Sequence, residues 1–233
     1  MLSMADWDGL GATTNHVTTE RTLVGKGWAW CGAGDWAISL CSPDGAFAAR
    51  ISPFDPTGPL TAKLYRQAAS TGRVPRLLHH TRLEGGGDLL VMEHLLPAPT
   101  EQAAGFLADI GAGAPSLCDL VTILHRVHAQ GAAVLPWWGP LDTNPANVMR
   151  RRDGTLVLTD PFYADGPNLY STALQDPGSV ARLVPPRDRR YMTEIPLASS
   201  GPWPEGEQDR IRAGLAAADA ILYGQGFGVP TDG

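Results

Sequence analysis

Hydrophobic and polar positions change period once along the chain. In the first half, apolar residues come in short runs: Thr22-Leu23-Val24, Trp28-Ala29-Trp30, Trp36-Ala37-Ile38-Ser39-Leu40 and Ala46-Phe47-Ala48-Ala49-Arg50-Ile51. Breaks at Gly32-Ala33-Gly34-Asp35 and Ser42-Pro43-Asp44-Gly45 separate them, which predicts an antiparallel meander. Residues 1 to about 20 are polar without a clear period and read as a loosely held arm. A helix follows over about residues 59–70, with Pro59 suited to its first turn, Gly72 to its stop, and Leu60, Leu64 and Ala68 at four-residue steps. Val74-Pro75-Arg76-Leu77-Leu78 and Asp88-Leu89-Leu90-Val91-Met92-Glu93 read as two further strands around the turn at Gly85-Gly86-Gly87.

From Thr100 the period becomes helical. One helix is predicted over residues 100–110 with Thr100 as N-cap, and a second over about residues 116–130 closed by Gly131. Leu117, Leu120, Val121, Leu124, Val127 and His128 mark the buried stripe of the second. Val148-Met149 and Leu156-Val157-Leu158-Thr159 flank Arg150-Arg151-Arg152-Asp153-Gly154, whose Asp-Gly pair favours a β-hairpin. Residues 163–206 are rich in Pro, Gly and Arg with little periodicity. A last helix is expected over residues 207–225, with Ile211, Leu215, Ala218 and Leu222 on one face. The fold class is α+β: an N-terminal antiparallel sheet with one helix, then a mainly helical part that carries a hairpin.

Composition narrows the function classes. A chain of 233 residues, 43% hydrophobic, suffices for one substantial core or two small lobes. A formal charge of −6 argues against a nucleic-acid surface, which needs clustered Lys and Arg; the Arg150-Arg151-Arg152 run reads as a solvated hairpin tip. Cys31, Cys41 and Cys118 are odd in number and lack C-x-x-C spacing, so neither a disulfide framework nor a zinc site is indicated. No apolar run approaches the ~18 residues of a membrane span, and the first residues lack a basic stretch followed by an apolar core. A cytoplasmic protein without membrane contact is expected. His125 and His128 stand three apart on a helix without a partnering acid and read as structural.

Closing the hairpin brings Asp142 and Asn147, which precede it, next to Asp160, which follows it. Hard oxygen donors of this kind suit Mg²⁺, which uses one or two carboxylates and keeps room for waters and substrate phosphates. An ordinary surface hairpin after an Asx-rich turn would show the same residues.

The run Asp142-Thr143-Asn144-Pro145-Ala146-Asn147, the hairpin, and Asp160-Pro161-Phe162 together resemble the catalytic and metal loops of the kinase-like superfamily, the protein kinases and aminoglycoside phosphotransferases. The resemblance spans roughly residues 21–165. It implies a two-lobed fold, with an arm at 1–20, a β-rich lobe at 21–95 and a C-terminal lobe at 96–233. It also implies Asp142 as catalytic base, Asn147 as metal ligand, Asp160 as main Mg²⁺ ligand, and ATP as phosphoryl donor. Arg50 falls where the family carries a phosphate-binding cation, although a strand-edge arginine is the other reading. Gly25, Gly27, Gly32 and Gly34 supply glycines near the phosphate-covering turn, Gly32 and Gly34 at the turn itself, without the G-x-G-x-x-G order. Glu93-His94-Leu95-Leu96-Pro97 resembles the lobe hinge, where Glu93 and Leu95 would meet the adenine edge and Met92 or Val91 would back the pocket.

The pattern departs from the family at several positions. The only acid between Ile51 and Leu83 is Asp55, so the family's ion pair between the strand cation and a helix Glu is expected to be missing, unless Glu84 or Glu93 substitutes. Pro140 stands where the family has a His, Leu141 where an Arg would receive an activation-loop phosphate, and Asn144 where protein-serine kinases have a Lys. Arg182, Arg187, Arg189 and Arg190 read either as a path for an acidic substrate or as a solvated loop. Two function classes follow: an ATP-dependent phosphotransferase acting on the hydroxyl of a small-molecule acceptor, and a pseudokinase-like nucleotide- or protein-binding regulatory protein without turnover.

Overall fold

The computed structural model describes Trp7 and residues 9–224. Its first element is a helix, α1 (His16–Gly25), where the sequence suggested an arm and a short strand at Thr22-Leu23-Val24. Asn15 accepts from the Thr18 N–H and caps the helix, and Leu23 is fully buried against the sheet behind it. A three-residue apolar run has no period of its own, so the cap and that contact decide its state. Trp7 is buried and stacks on His79, so part of the expected arm belongs to the core; residues 1–6 and 8 lie outside the described residues.

Strands β1 (Ala29–Ala33), β2 (Ile38–Cys41) and β3 (Phe47–Ser52) form the meander. After α2 (Gly58–Gln67) come β4 (Leu77–Arg82) and β5 (Asp88–Glu93), giving a five-stranded antiparallel sheet in the order β1-β2-β3-β5-β4. Successive side chains point to opposite faces. Ala49, Ile51, Leu89 and Val91 pack with Leu23 and Trp28 on one face, whereas Leu90 and Met92 pack with α2 and the helices beyond it on the other. Arg50 stands opposite Leu90 and Ala48 opposite Met92, so Arg50 and Ala48 share that second face. Strand β4 begins three residues later than expected and runs through the polar His79-His80-Thr81-Arg82. Asp88, buried on β5, draws it there by pairing with His80 Nε2 at 3.0 Å and Arg82 Nη1 at 3.0 Å.

A second, three-stranded sheet has the order β6 (Leu96–Pro97), β7 (Val148–Arg150), β8 (Leu156–Leu158). Its β7–β8 turn places Gly154 at φ 90°, a conformation that only glycine adopts without strain. Between β6 and β7 run α3 (Thr100–Ala112) and α4 (Cys118–Val134). Thr100 is the first helical residue rather than a cap, and no side chain caps α3. Helix α4 continues past Gly131 instead of stopping there: Gly131 is buried, and a Cβ on it would sit 2.5 Å from the Trp138 ring, so the glycine serves that contact. His128 bonds the Gly139 carbonyl at 3.0 Å and packs beside Trp138 and Phe162, a structural role.

Residues 163–206, which carry little period, fold into α5 (Gly166–Gln175), α6 (Pro177–Leu183) and α7 (Pro186–Arg189). Asp165 and Asp176 cap the first two, each with a proline in the first turn. With α8 (Glu207–Gly224) they enclose a third core around Phe54, Leu169, Tyr170, Met192, Ile211 and Leu215. Leu222, expected on the buried face of α8, is 39% exposed, and Gln225 lies outside the described residues. Cys31, Cys41 and Cys118 are free. Among the described residues, no single helix is long and apolar enough to cross a membrane.

Candidate active site

Two backbone bonds hold the hairpin's flanks side by side: Asp142 N–H to the Pro161 carbonyl at 2.9 Å, and Thr159 N–H to the Asn147 carbonyl at 2.8 Å. Between them, Asn144 Oδ1 accepts from the Ala146 N–H at 3.0 Å and shapes the turn that carries Asn147. This local geometry orients the first two site residues. Asp142 Oδ2 accepts from Asn147 Nδ2 at 2.8 Å, and its Oδ1 accepts from the Asn144 N–H at 2.8 Å. With its amide nitrogen given to Asp142, Asn147 keeps its oxygen for another partner.

The opposite wall comes from β3. Arg50 Nη1 reaches Asp55 Oδ2 at 2.5 Å and Nη2 reaches Asp160 Oδ2 at 3.3 Å. No acid stands on α2, so the pair with a helix Glu is absent as expected, and Arg50 is instead balanced by an acid that precedes the helix. Asp55 is 2% exposed, and its Oδ1 accepts from Thr57 N–H, Thr57 Oγ1 and Gly58 N–H, all at 2.8 Å. It thus takes up the first N–H of α2, whose N-cap residue Thr57 makes no side-chain cap bond, and balances Arg50 at once. Glu84 pairs with Arg190 and Glu93 with Arg151, so neither acts as a substitute.

Electrostatics sort the acids. Burial works to raise the Asp55 carboxyl, but Arg50, Thr57 and Arg82 outweigh it and hold it below the ordinary range. Asp160 goes the other way: burial, joined by the negative charges of Asp55 and Asp142, outweighs Arg50 and pushes it up to about 6. It lies deep in the cleft, yet its side chain keeps 35% of its surface open. Arg50 is held firmly in its charged form, since Asp160 and Asp55 overcome the effect of burial.

All eight residues singled out from the sequence, Arg50, Gly32, Gly34, Glu93, Leu95, Asp142, Asn147 and Asp160, line one cavity of about 690 Å³. One end is polar and contains the three acids with Arg50. The other is walled by Ala48, Met92, Leu95 and Met149. Met92 faces it and Val91 does not, since Val91 points to the other side of the sheet. Gly25 ends α1, and neither Gly25 nor Gly27 reaches the cavity. A side chain placed on Gly32 or Gly34 would meet nothing within 4 Å, while the Gly34 N–H is bonded within the turn to the Ala37 carbonyl at 2.9 Å and Gly32 pairs with Ser39.

Other expected roles change. The side chain of Glu93 accepts from Arg151 Nε at 3.0 Å, Arg151 Nη2 at 2.9 Å and the Arg76 N–H at 2.8 Å, leaving only its backbone for the cleft. Arg151 also donates to the Gly72 carbonyl at 2.6 Å and the Val74 carbonyl at 2.9 Å. Arg151 is therefore a clamp rather than part of a solvated tip, whereas Arg152, Asp153 and Gly154 are exposed as expected of one. Of the later arginines, Arg189 is buried on Asp219 and Arg182 bonds Ser179; none of Arg182, Arg187, Arg189 and Arg190 lines the cavity. Sequence reasoning missed Asp55 as Arg50's partner, although Asp55-Pro56-Thr57 before a helix is a capping signal. It also missed Tyr65 of α2, a buried wall residue whose hydroxyl is pushed well up by burial and by Asp160.

Among the described residues, no group of three or more His, Cys, Asp and Glu side chains is placed to hold a metal ion. The donors at the polar end are two carboxylates and an amide oxygen, a hard set that fits Mg²⁺ only as part of a shell completed by water or phosphate.

No protein-family model matches the chain, and no curated protein matches it. Among solved structures, an apo pseudokinase aligns over 80% of this chain and 82% of its own, at 11% identity and a TM-score of 0.29. A similarity that distant carries no weight for fold or function, which rest on the residues themselves.

Proposed function

We propose that the chain is a compact kinase-like phosphotransferase that moves the γ-phosphoryl group of ATP to a hydroxyl of a small-molecule acceptor. The observation that supports this reading most is the shared cavity: Asp142, Asn147, Asp160 and Arg50 meet at its polar end, and an apolar slot beside the 93–95 segment lies at the other. An adenine ring suits the slot between Ala48, Met92 and Met149, which sets the phosphates toward Arg50 and Asp160. After Phe162 the chain enters α5 at Gly166 without a long intervening segment, which leaves little surface for seating a protein substrate.

In this reading Asp142 accepts the acceptor's proton as the hydroxyl oxygen bonds to the γ-phosphorus, the bond to the β–γ bridging oxygen breaks, and ADP leaves. The bonds from Asn147 Nδ2 and the Asn144 N–H hold the Asp142 carboxylate in one orientation, so little rearrangement is needed at the moment of transfer. Asn147 Oδ1 and Asp160 would hold Mg²⁺, which when bound supplies positive charge to the phosphate oxygens. Arg50, fixed by Asp55, presents a guanidinium to the same region.

One observation favours the second reading, a pseudokinase-like binding protein without turnover: Arg50 is engaged by two carboxylates, and a phosphate must compete for it. Melting temperature with ATP, with and without Mg²⁺, and ATP consumption over a panel of hydroxyl-bearing acceptors separate the two. Asp142→Asn keeps size and loses basicity, so turnover falls by about 10²–10⁴-fold while the Mg·ATP-induced shift in melting temperature is retained. A wild type that consumes no ATP with any acceptor, together with a more stable Asn variant, replaces the enzyme by the scaffold.

A further inference from the structure

The β1–β2 turn carries Gly32 and Gly34 in the cavity wall and lies toward the Arg50 end of β3, since Ser39 pairs with Arg50 and Cys41 with Ala48, and it is not a free flap. Asp35, the next residue, is tied to a loop near the other end of the chain: its Oδ1 accepts from the Ser199 N–H at 2.6 Å and the Ser200 N–H at 2.9 Å, and its Oδ2 accepts from Ser200 Oγ at 2.6 Å. The Asp35 carbonyl accepts from the Leu197 N–H at 3.1 Å, and Leu197 holds a φ of 50°, strained for a residue with a side chain. The neighbouring Trp36 packs against Phe54 and Tyr170, and Tyr170 against Trp203, which seats the turn's far side in the third core. Ser199 itself lines the cavity.

We infer that Asp35 is a positioning residue for the phosphate end of the cleft: by binding the loop at 197–200 it fixes the β1–β2 turn so that the Gly32 and Gly34 backbone is already in place when a nucleotide arrives. The inference deepens the proposed function and rests on it for the identity of the ligand, while the tether itself stands on the bonds above. An anchored turn loses less freedom on binding than a mobile one, and that gain falls on the ligand's phosphates and not on its base.

The test uses the full chain and three probes: adenosine, ATP with Mg²⁺, and amide hydrogen exchange. Asp35→Ala is expected to speed exchange over residues 32–37 and 196–201 at least about tenfold, to weaken Mg·ATP binding roughly tenfold, and to leave adenosine affinity unchanged. Ser200→Ala, which removes one of the three carboxylate bonds, gives smaller changes in the same direction and serves if Asp35→Ala does not fold. Unchanged exchange at both segments overturns the tether. Equal losses for adenosine and ATP overturn the positioning role, because a general structural defect does not distinguish them. A wild type that binds neither probe removes the nucleotide reading and with it the positioning role, while the exchange rates still decide the tether.

Discussion

Asp160 offers the sharpest test, because the role proposed for it and its effect on stability oppose each other. A carboxyl moved from an ordinary value of 3.8 to about 6 penalises its ionised form by about 3 kcal/mol at most. With 35% of the side chain open, solvent screening brings a realistic figure to about 1–2 kcal/mol. The folded protein holds this proton more tightly than the unfolded chain, so between about pH 4 and pH 6 its stability falls as pH rises. The penalty is absent below the unfolded value and complete above the folded one. Asp160→Asn has no charge to penalise, and its amide oxygen can still accept from Arg50. In EDTA the variant should therefore be more stable than wild type by about 1–2 kcal/mol at pH 7, with the advantage shrinking to nothing near pH 4. Urea denaturation across that range measures it. Added Mg²⁺ with nucleotide should stabilise wild type and not the variant, reversing the order. A variant less stable than wild type at pH 7, or a difference that does not change with pH, refutes the account of Asp160 as a carboxylate raised by burial and by its acidic neighbours.

Two further substitutions address the residues around it. Asp55→Asn keeps an acceptor for Thr57 and Gly58 but leaves Arg50 with Asp160 alone. It should cost about 3 kcal/mol by chemical denaturation and bring the Asp160 carboxyl below 6 in an NMR titration, since the Asp55 charge helps to raise it. Arg151→Met removes the clamp from Glu93, Gly72 and Val74. A loss of about 2–4 kcal/mol is expected, measured by the same denaturation, and a loss under 0.5 kcal/mol, about the size of an ordinary surface substitution, would place the clamp among surface pairs.

What could be read from the sequence was what is decided locally. Strand β5 keeps its expected limits because a buried run between a glycine turn and the break at His94–Pro97 leaves little choice, and the β7–β8 hairpin follows from two apolar runs and an Asp-Gly turn. The same locality made Asp142, Asn147 and Asp160 legible, since one hairpin brings them together. Elements held by polar partners far along the chain were not legible in this way. Strand β4 is a row of polar residues until Asp88 is placed beside it, and Arg151 looks like a solvated charge until Glu93 arrives from β5. The α5–α7 region hides for a different reason. Proline, glycine and polar residues interrupt its apolar positions, α6 and α7 are only seven and four residues long, and the Asp caps before the first-turn prolines announce α5 and α6 alone.

The charges at the polar end of the cavity bear on how a nucleotide is received there. Three carboxylates, Asp55, Asp142 and Asp160, face one guanidinium, that of Arg50, so the region is acidic even though it is the proposed seat of a polyanion. Asp55 is withdrawn from this balance, since its remaining oxygen is spent on the start of α2. Asp142 is partly withdrawn by Asn147 and Asn144. The Asp160 carboxyl is pushed up to about 6, first by burial and then by the charges of Asp55 and Asp142. Binding of a divalent cation favours the deprotonated form, because metal ligation and proton binding compete for the same oxygens. In the proposed reaction the metal requirement therefore follows from the acidity of the site: a bare triphosphate meets repulsion from Asp160 and Asp142, and a cation held by Asp160 and Asn147 against the phosphates would turn that repulsion into attraction.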